Sequence, residues 1–100
     1  MIVFYRDWVF VAQDPKEELL LGPAYAIPKL LQRANLTADD IDVWEIHEAF
    51  AGQVLSNLTA MASDKWSSSN GQNRMDIKMD KINTWGGSMS IGHPLSLIHI

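Results

Sequence analysis

Two apolar stripes at helical spacing, separated by a short run of strand-forming residues, limit what this chain can fold into. We place Pro28 in the first turn of the first helix, where the missing N–H is tolerated, and Asn35 at its left-handed end. The apolar residues of that helix recur at i, i+3, i+4 and i+7, namely Ile27, Leu30, Leu31 and Ala34. The second stripe predicts a helix from about Ala49 to Ala62 and consists of Phe50, Val54, Leu55, Leu58 and Met61.

Strand-like runs precede and separate these helices. Trp8 to Ala12 is rich in aromatic and β-branched residues, which is typical of a buried strand. Ile41 to Ile46 predicts a second strand after a capped turn at Thr37 to Asp40, and Met75 to Trp85 predicts a third. Ser67 to Asn73 lacks apolar periodicity and predicts an exposed loop. The order strand, helix, strand, helix, strand indicates an α/β fold with a partly parallel sheet.

Composition excludes several classes of protein. Eight Lys and Arg against twelve Asp and Glu give a net charge of -4, without the basic surplus that nucleic acids require, so we expect no nucleic-acid partner. A hydrophobic share of 47% with 20% charged residues is typical of a packed chain rather than a disordered one. The sequence has no cysteine, which removes disulfides, thiolate metal sites and a cysteine nucleophile. The first residues do not resemble a signal or transit peptide, so we expect any targeting segment outside this sequence.

Generic catalytic motifs do not fit. His47-Glu48 opens like a zinc-protease helix, but the position four residues after His47 is Ala51 rather than histidine. Gly86-Gly87-Ser88-Met89-Ser90 lacks the final glycine of a hydrolase nucleophile elbow. The three histidines have neither thiolate partners nor close spacing, and therefore predict no metal site.

Two polar motifs remain as candidate sites. His47-Glu48-Ala49-Phe50 stands where the second strand passes into the second helix, and ligands of open α/β sheets collect at the carboxyl ends of strands. A hydrogen-bonded histidine, with Glu48 complementing the helix dipole, would explain the same residues without a function. Gly92-His93-Pro94 allows close approach of the backbone and fixes an imidazole, which suits acid–base or oxyanion chemistry. A loop histidine without a role is the alternative there.

These two motifs, in this order and after Gly22-Pro23-Ala24, resemble the carboxyl-terminal half of a thiolase. The family usually has Asn-Glu-Ala-Phe where this chain has His47-Glu48-Ala49-Phe50. It usually has Gly-Gly, a short apolar run and Gly-His-Pro where this chain has Gly86 to Pro94. Within the family, the histidine at position 47 makes this chain similar to the β subunits of mitochondrial trifunctional proteins. Gln13-Asp14-Pro15 and Leu36 to Asp42 support the same similarity.

The resemblance implies a partial thiolase-like α/β fold: the C-terminal half, truncated, with a mixed sheet and helices on both faces. Residues 1–95 would be an incomplete thiolase C-terminal domain. Residues 96–100 depart from the Gly-Ala-Thr-Gly turn of the family, and we expect them to be an artefactual tail that does not belong to it. The polar insertion at 64–80 would be a solvated loop or a contact with a partner or membrane.

The implied function is that of an acetyl-CoA C-acyltransferase, a 3-ketoacyl-CoA thiolase of fatty-acid β-oxidation that cleaves 3-ketoacyl-CoA with coenzyme A into acetyl-CoA and a shortened acyl-CoA. His93 and His47 would be catalytic. His93 would activate the family's nucleophilic cysteine, and His47 would hold a water or donate directly in an oxyanion hole. Five further positions would support the site or shape its loop: Glu48, Phe50, Gly86, Gly87 and Gly92. Both cysteines of the family lie outside this sequence, so we expect the chain alone to be inactive.

The resemblance also implies the partners. They are acyl-CoA and CoA as substrates, a second thiolase subunit in a dimer, and the α subunit of a trifunctional protein. No permanently bound cofactor and no metal are expected, and the location would be mitochondrial, in the matrix or in peripheral contact with the inner membrane. Two alternatives stay open: a non-catalytic binding module for a thiolase or trifunctional-protein partner, and an unrelated small α/β binding domain.

Overall fold

Three helices dominate the part of the chain that the structure, a computed structural model, describes, which is residues 1–92. They are α1 (Gly22–Ala34), α2 (Ala51–Met61) and α3 (Asp64–Ser69). Single turns of 3-10 helix lie at Ala38–Asp40, Met79–Lys81 and Ser88–Ser90. None of the helices in this part of the chain is long and apolar enough to cross a membrane.

Helix α1 begins earlier than the sequence predicts. It starts at Gly22, so Pro23 rather than Pro28 stands in its first turn. The expectation for Pro28 is wrong because Gly22-Pro23 already opens the helix, and Pro28 is buried in its interior. An interior proline removes one backbone hydrogen bond at a cost of about 3 kcal/mol, which burial of the ring offsets in part. The predicted end is confirmed, since Asn35 is left-handed at φ 54° and ψ 47°.

The capped turn after α1 is also confirmed. The carboxylate of Asp40 accepts the Thr37 N–H at 2.8 Å and the Thr37 hydroxyl at 2.7 Å. These hydrogen bonds hold the pKa of Asp40 below its usual value. The turn directs the chain from α1 into the run that begins at Ile41.

A buried asparagine joins α1 to α2. Asn57 of α2 is fully buried, and its Oδ1 accepts the Ala24 N–H in the first turn of α1 at 2.8 Å. Its Nδ2 donates to the carbonyl oxygens of Leu20 and Gln53, both at 2.8 Å. A buried polar group is tolerated only when it is hydrogen-bonded, and this carboxamide uses both ends. Asn57 therefore fixes where the start of α1 lies against α2.

The core lies between α1, α2 and the segments that follow them. Its buried apolar residues are Ala24, Leu31, Trp44, Ile46, Val54, Met61 and Ile77. Both predicted stripes contribute to this core, which confirms them in part: Leu31 comes from the first stripe, and Val54 and Met61 come from the second. Phe50 and Leu55 lie outside it, at 63% and 56% exposed, because α2 turns that flank of the stripe to solvent.

The predicted mixed sheet is not confirmed. Within residues 1–92 the pairing between extended segments is one isolated parallel bridge, between Trp44 and Ile82. The Trp44 N–H donates to Lys81 O at 2.8 Å, and the Asn83 N–H donates to Trp44 O at 2.7 Å. A strand is stable only when its backbone N–H and C=O groups are paired with those of a neighbouring strand. In the part of the chain that the structure describes, the run from Ile41 to Ile46 has such backbone pairing only at Trp44.

Trp8 to Ala12 is not a buried strand, which corrects that prediction. Trp8 is 56% exposed and Phe10 is 87% exposed. No other segment among residues 1–92 forms a bridge with this run, so it is not part of a sheet. The segment is tied to α1 instead, because Arg33 forms an ion pair with Asp7 and its Nε donates to the same carboxylate at 2.7 Å.

The serine-rich stretch after α2 begins as a helix, which corrects the prediction of an exposed loop from Ser67. Ser63 caps α3 by accepting the Trp66 N–H at 3.3 Å. Ser67 is 2% exposed, and its hydroxyl donates to a backbone carbonyl of α2 at 3.3 Å. The ring of Trp66 lies 5.0 Å from that of Tyr25 on α1. One serine cap, the hydrogen bond of Ser67 to α2 and one aromatic contact thus stabilise a helix that has no apolar periodicity.

Replacing Asn57 with alanine should lower the free energy of unfolding by about 1–3 kcal/mol, because Leu20 O would lose a buried donor and the Ala24 N–H a buried acceptor. Urea denaturation measures this change. Ser56→Ala, at an exposed position of the same helix, is the matched control and should stay within about 0.5 kcal/mol of the parent. Equal stability of the two variants would contradict the role assigned to Asn57.

Candidate functional site

The carboxamide of Asn83 extends the parallel bridge by one step. Its Oδ1 accepts the Ile46 N–H at 2.8 Å, and its Nδ2 donates to Ile46 O at 2.9 Å. Asn83 lies in the left-handed region at φ 48°, which asparagine tolerates better than most residues. The side chain therefore takes the place that a neighbouring peptide group would have, directly before His47.

The carboxylate of Glu48 joins this segment to the glycine-rich loop. Its Oε1 accepts Asn83 Nδ2 at 2.8 Å, and its Oε2 accepts the Met89 N–H at 3.2 Å. The hydrogen bond from Asn83, followed by that from Met89, holds the pKa of Glu48 below its usual value. The hydrogen-bond partners of the Glu48 carboxylate are therefore Asn83 and Met89, on the side of the glycine-rich loop.

Two glycines allow the loop to lie this close. Gly86 follows Asn83 in a turn closed by its own N–H on Asn83 O at 2.8 Å, and its φ of 100° is one that favours glycine. Gly87 lies against the Glu48 carboxylate, and a Cβ at position 87 would overlap the carboxylate atoms. Gly86 thus serves the turn, and Gly87 allows the close approach of the loop to the Glu48 side chain.

Ser88 brings the loop into contact with the imidazole. Its Oγ lies 3.0 Å from Nδ1 of His47 and accepts the Glu48 N–H at 3.1 Å. His47 is exposed, so its ring is accessible at the surface. The site is therefore an accessible imidazole held between the end of the bridge, the start of α2 and the glycine-rich loop.

Two open clefts meet at His47. The first has a mixed polar and apolar lining and runs along the loop; its lining includes His47, Asn83, Trp85, Gly87, Ser88 and Ile91. The second is mostly apolar and runs toward α1; its lining includes His47, Leu19, Leu20, Pro23, Ala49 and Gln53. Among residues 1–92, no three histidine or carboxylate side chains lie close enough to share a metal ion.

The predicted site residues divide into three groups. His47, Glu48, Gly86 and Gly87 are brought together in one site. Phe50 and Gly92 lie apart from the hydrogen-bonded cluster: Phe50 precedes α2 and is 63% exposed, and Gly92 is exposed at φ 82°. His93 lies outside the described residues.

Sequence reasoning missed two residues of the site, Asn83 and Ser88. An asparagine shortly before a glycine pair is a turn signal, because both residue types accept left-handed backbone, and this could have marked Asn83. Ser88 was considered only within the rejected nucleophile-elbow pattern, which gives no indication of a contact with His47. Its contact with His47 spans 41 residues of sequence and depends on how the loop folds back.

Comparison with known proteins supplies the family context. The family model described as "Thiolase, C-terminal domain" matches residues 1–98. A protein of Caenorhabditis elegans named probable 3-ketoacyl-CoA thiolase is 59% identical over 98 residues, which are 91% of this chain and 21% of that protein. The mitochondrial trifunctional enzyme subunit beta of Bos taurus is 54% identical over 98 residues, covering 91% of this chain and 20% of the subunit.

A bacterial protein shows the same relation at lower identity. The 3-ketoacyl-CoA thiolase of Shewanella amazonensis is 42% identical over 98 residues, which cover 95% of this chain and 22% of that enzyme. The chain therefore spans about a fifth of the length of the curated relatives that it matches.

Replacing Gly87 with alanine should push the loop away from Glu48, because the added methyl group would overlap the carboxylate. We expect a loss of about 1–3 kcal/mol in unfolding free energy and a shifted Met89 amide resonance. Gly52→Ala on α2 is the matched control, since no neighbouring atom lies within 4 Å of the added Cβ, and it should stabilise by up to about 1 kcal/mol. If both substitutions raise the free energy of unfolding, the close contact between Gly87 and the Glu48 carboxylate is contradicted.

Acidification should release the loop from Glu48. A carboxyl group whose pKa is lowered by folding stabilises the folded state above its unfolded-state pKa, and this contribution is lost as the pH falls through the lowered value. We expect the Met89 amide resonance to stay constant down to about pH 4, the ordinary range of glutamate, and to shift only below it. In Glu48→Gln this shift should disappear; if it persists, another carboxyl group causes it.

Proposed function

This chain belongs to the thiolase family, and from that premise we propose that it supplies part of the acyl-transfer site of a 3-ketoacyl-CoA thiolase of fatty-acid β-oxidation. The substrates are 3-ketoacyl-CoA and free coenzyme A, and the products are acetyl-CoA and an acyl-CoA shortened by two carbons. Coenzyme A acts as a co-substrate, not as a bound cofactor. The observation that carries the proposal is the accessible His47, which the glycine-rich loop holds by one ring nitrogen.

The proposed reaction needs residues from outside this sequence. In the family's chemistry a cysteine thiolate attacks the keto carbon, the bond between C2 and C3 breaks, and acetyl-CoA leaves after its C2 takes a proton from a second cysteine. The thiolate of coenzyme A then attacks the acyl-enzyme and releases the shortened acyl-CoA. This chain has no cysteine, so both thiols belong to other parts of a complete subunit.

The role proposed for His47 is stabilisation of negative charge. When a thiolate attacks or a thioester enolate forms, charge develops on a carbonyl oxygen, and a positioned N–H donor lowers the barrier. His47 stands where the family usually has asparagine, and it donates directly or through a water. Glu48 supports this role as a positioning residue, because its carboxylate and its N–H both hold the loop that contacts the imidazole.

The remaining site residues have subordinate parts in the proposal. His93 activates the nucleophilic cysteine, an assignment that rests on the Gly92-His93-Pro94 motif. Phe50 and Gly92 support the fold around the two histidines. Gly86 and Gly87 provide the close approach of the loop described above.

The two clefts beside His47 favour acyl transfer over a purely polar reaction. A 3-ketoacyl-CoA has a polar thioester and keto group next to an apolar acyl chain. The cleft along the loop, with its mixed lining, offers the hydroxyls of Ser88 and Ser90, whereas the apolar cleft offers Leu19, Leu20 and Pro23. His47 lies in both linings, so a substrate that spans them would have its carbonyl groups beside the imidazole.

The relatives support the proposed setting. Residues 1–95 form part of a thiolase C-terminal domain whose mixed sheet with helices on both faces is completed by segments beyond this sequence. The complete subunit pairs with a second thiolase subunit and with the α subunit of a trifunctional protein. Relatives named as mitochondrial support a mitochondrial location, in the matrix or at the inner membrane.

The test uses a complete subunit that contains this sequence. We expect His47→Ala to lower kcat for thiolysis of a 3-ketoacyl-CoA by about 10²–10³, the usual effect of losing one oxyanion donor. His47→Asn, which restores the family's amide donor, should keep most of the activity. Steady-state kinetics with release of acetyl-CoA measures both.

Two controls make this test specific. Asp42→Asn, at an exposed position before the site, should leave kcat unchanged. The 100-residue chain alone should show no thiolysis, because it has no thiol nucleophile. The proposal is contradicted if His47→Ala is as active as Asp42→Asn, or if the isolated chain turns over substrate.

A second candidate function is a non-catalytic binding module that pairs with a thiolase or trifunctional-protein subunit. The observation that favours it is the exposed apolar segment at the start of the chain, where Ile2, Val3 and Phe4 are 82%, 75% and 86% exposed. Mixing the chain with a complete subunit and measuring its hydrodynamic radius separates the two functions. Stable association without any gain in thiolysis would favour the binding module.

A further inference from the structure

The hydroxyl of Ser88 lies between two groups of the His47-Glu48 segment. Its Oγ is 3.0 Å from His47 Nδ1 and accepts the Glu48 N–H at 3.1 Å. Ser88 is held from both sides, because the Glu48 carboxylate accepts the N–H of Met89 and lies against Gly87. The loop therefore presents this hydroxyl to the imidazole in a defined position.

Proton counting assigns the direction of the contact with His47. A serine hydroxyl has one proton and two acceptor lone pairs, and one lone pair of Ser88 is used by the Glu48 N–H. The hydroxyl proton needs an acceptor, and an imidazole nitrogen 3.0 Å away is a strong one. If Nδ1 accepts, the single ring proton of a neutral His47 is on Nε2.

The contact between Ser88 and His47 joins two positions at which this chain differs from the family's usual motifs. Position 47 has histidine where the family usually has asparagine, and position 88 has serine at the start of a run that is usually apolar. An asparagine carboxamide always carries a donor, whereas a neutral imidazole has one donor nitrogen and one acceptor nitrogen. A histidine replaces the amide donor reliably only when its tautomer is set.

We propose that Ser88 is a positioning residue that donates its hydroxyl proton to Nδ1 and thereby holds neutral His47 as the Nε2–H tautomer. Nε2 then offers an N–H donor to a carbonyl oxygen on which negative charge develops. The use of this donor rests on the proposed thiolase function. The tautomer itself is a property of the chain without substrate, so the two claims can be tested separately.

The first experiment measures the tautomer directly. The two ring-nitrogen resonances of His47 are recorded by long-range ¹H–¹⁵N correlation in the full 100-residue chain, above about pH 7.5, where an ordinary imidazole is neutral. His47→Asn identifies its signals among the three histidines. We expect the Nε2–H pattern in the parent chain, a shift toward averaged tautomers in Ser88→Ala, and the parent pattern in Ser88→Thr, which keeps the hydroxyl.

A matched serine controls for a general disturbance of the loop. Ser90 lies in the same turn, and its hydroxyl donates to Gly87 O at 2.9 Å rather than to the imidazole. Ser90→Ala should leave the two nitrogen resonances of His47 unchanged. Equal shifts in Ser88→Ala and Ser90→Ala, an Nδ1–H pattern in the parent chain, or no change in Ser88→Ala would each overturn the proposal.

The second experiment asks whether the tautomer matters for turnover. In a complete subunit that contains this sequence, Ser88→Ala should lower kcat about tenfold with little change in KM, less than the 10²–10³ expected for losing the donor itself. Ser88→Thr should restore most of kcat. An active subunit in which Ser88→Ala leaves kcat unchanged would overturn the positioning role, whereas the expected tautomer in a subunit without thiolysis would overturn only the proposed function.

Discussion

The site depends on a side chain that substitutes for backbone. The carboxamide of Asn83 satisfies both backbone groups of Ile46, directly after the parallel bridge, and the same Nδ2 also donates to the carboxylate of Glu48. A parallel bridge of one step is a weak connection by itself. With Asn83 added, the segment before His47 and the glycine-rich loop are joined by direct hydrogen bonds, and the contacts of Gly87 and Ser88 can form on the framework that results.

A second carboxamide, that of the buried Asn57, joins segments of the scaffold. Its Oδ1 accepts the Ala24 N–H in the first turn of α1, and its Nδ2 donates to Leu20 O before α1 and to Gln53 O in α2 itself, each at 2.8 Å. Because a buried amide must be hydrogen-bonded to be tolerated, Asn57 also specifies the relative position of α1 and α2. The result at the surface is an imidazole with a defined neighbour on one nitrogen, which is the requirement for directed proton donation.

Sequence reasoning succeeded where local chemistry decides and failed where distant segments must meet. The two helical stripes, the left-handed Asn35 and the capped turn at Thr37 follow from residues within one or two turns. The sheet could not be judged in this way, because a strand exists only with a neighbour, and the described part of the chain provides a single bridge. The helix at Asp64–Ser69 was missed because its stabilising contacts are one serine cap, a serine hydrogen bond to α2 and one ring contact with α1. In the site, His47 and the glycine pair could be recognised as sequence motifs. Asn83 could not, because it lies 37 residues from Ile46 and the two residues come into contact only in the folded chain.

The most direct measurement is amide hydrogen exchange in Asn83→Gly. Glycine accepts the left-handed backbone at φ 48° without strain, so this substitution removes the carboxamide and leaves the turn unhindered. If Asn83 joins the two segments, exchange at the Ile46 and Met89 amides should become much faster, while the Ala24 amide in α1 keeps the protection of the parent chain. Unchanged protection at Ile46 and Met89 would contradict the dependence of the site on this side chain.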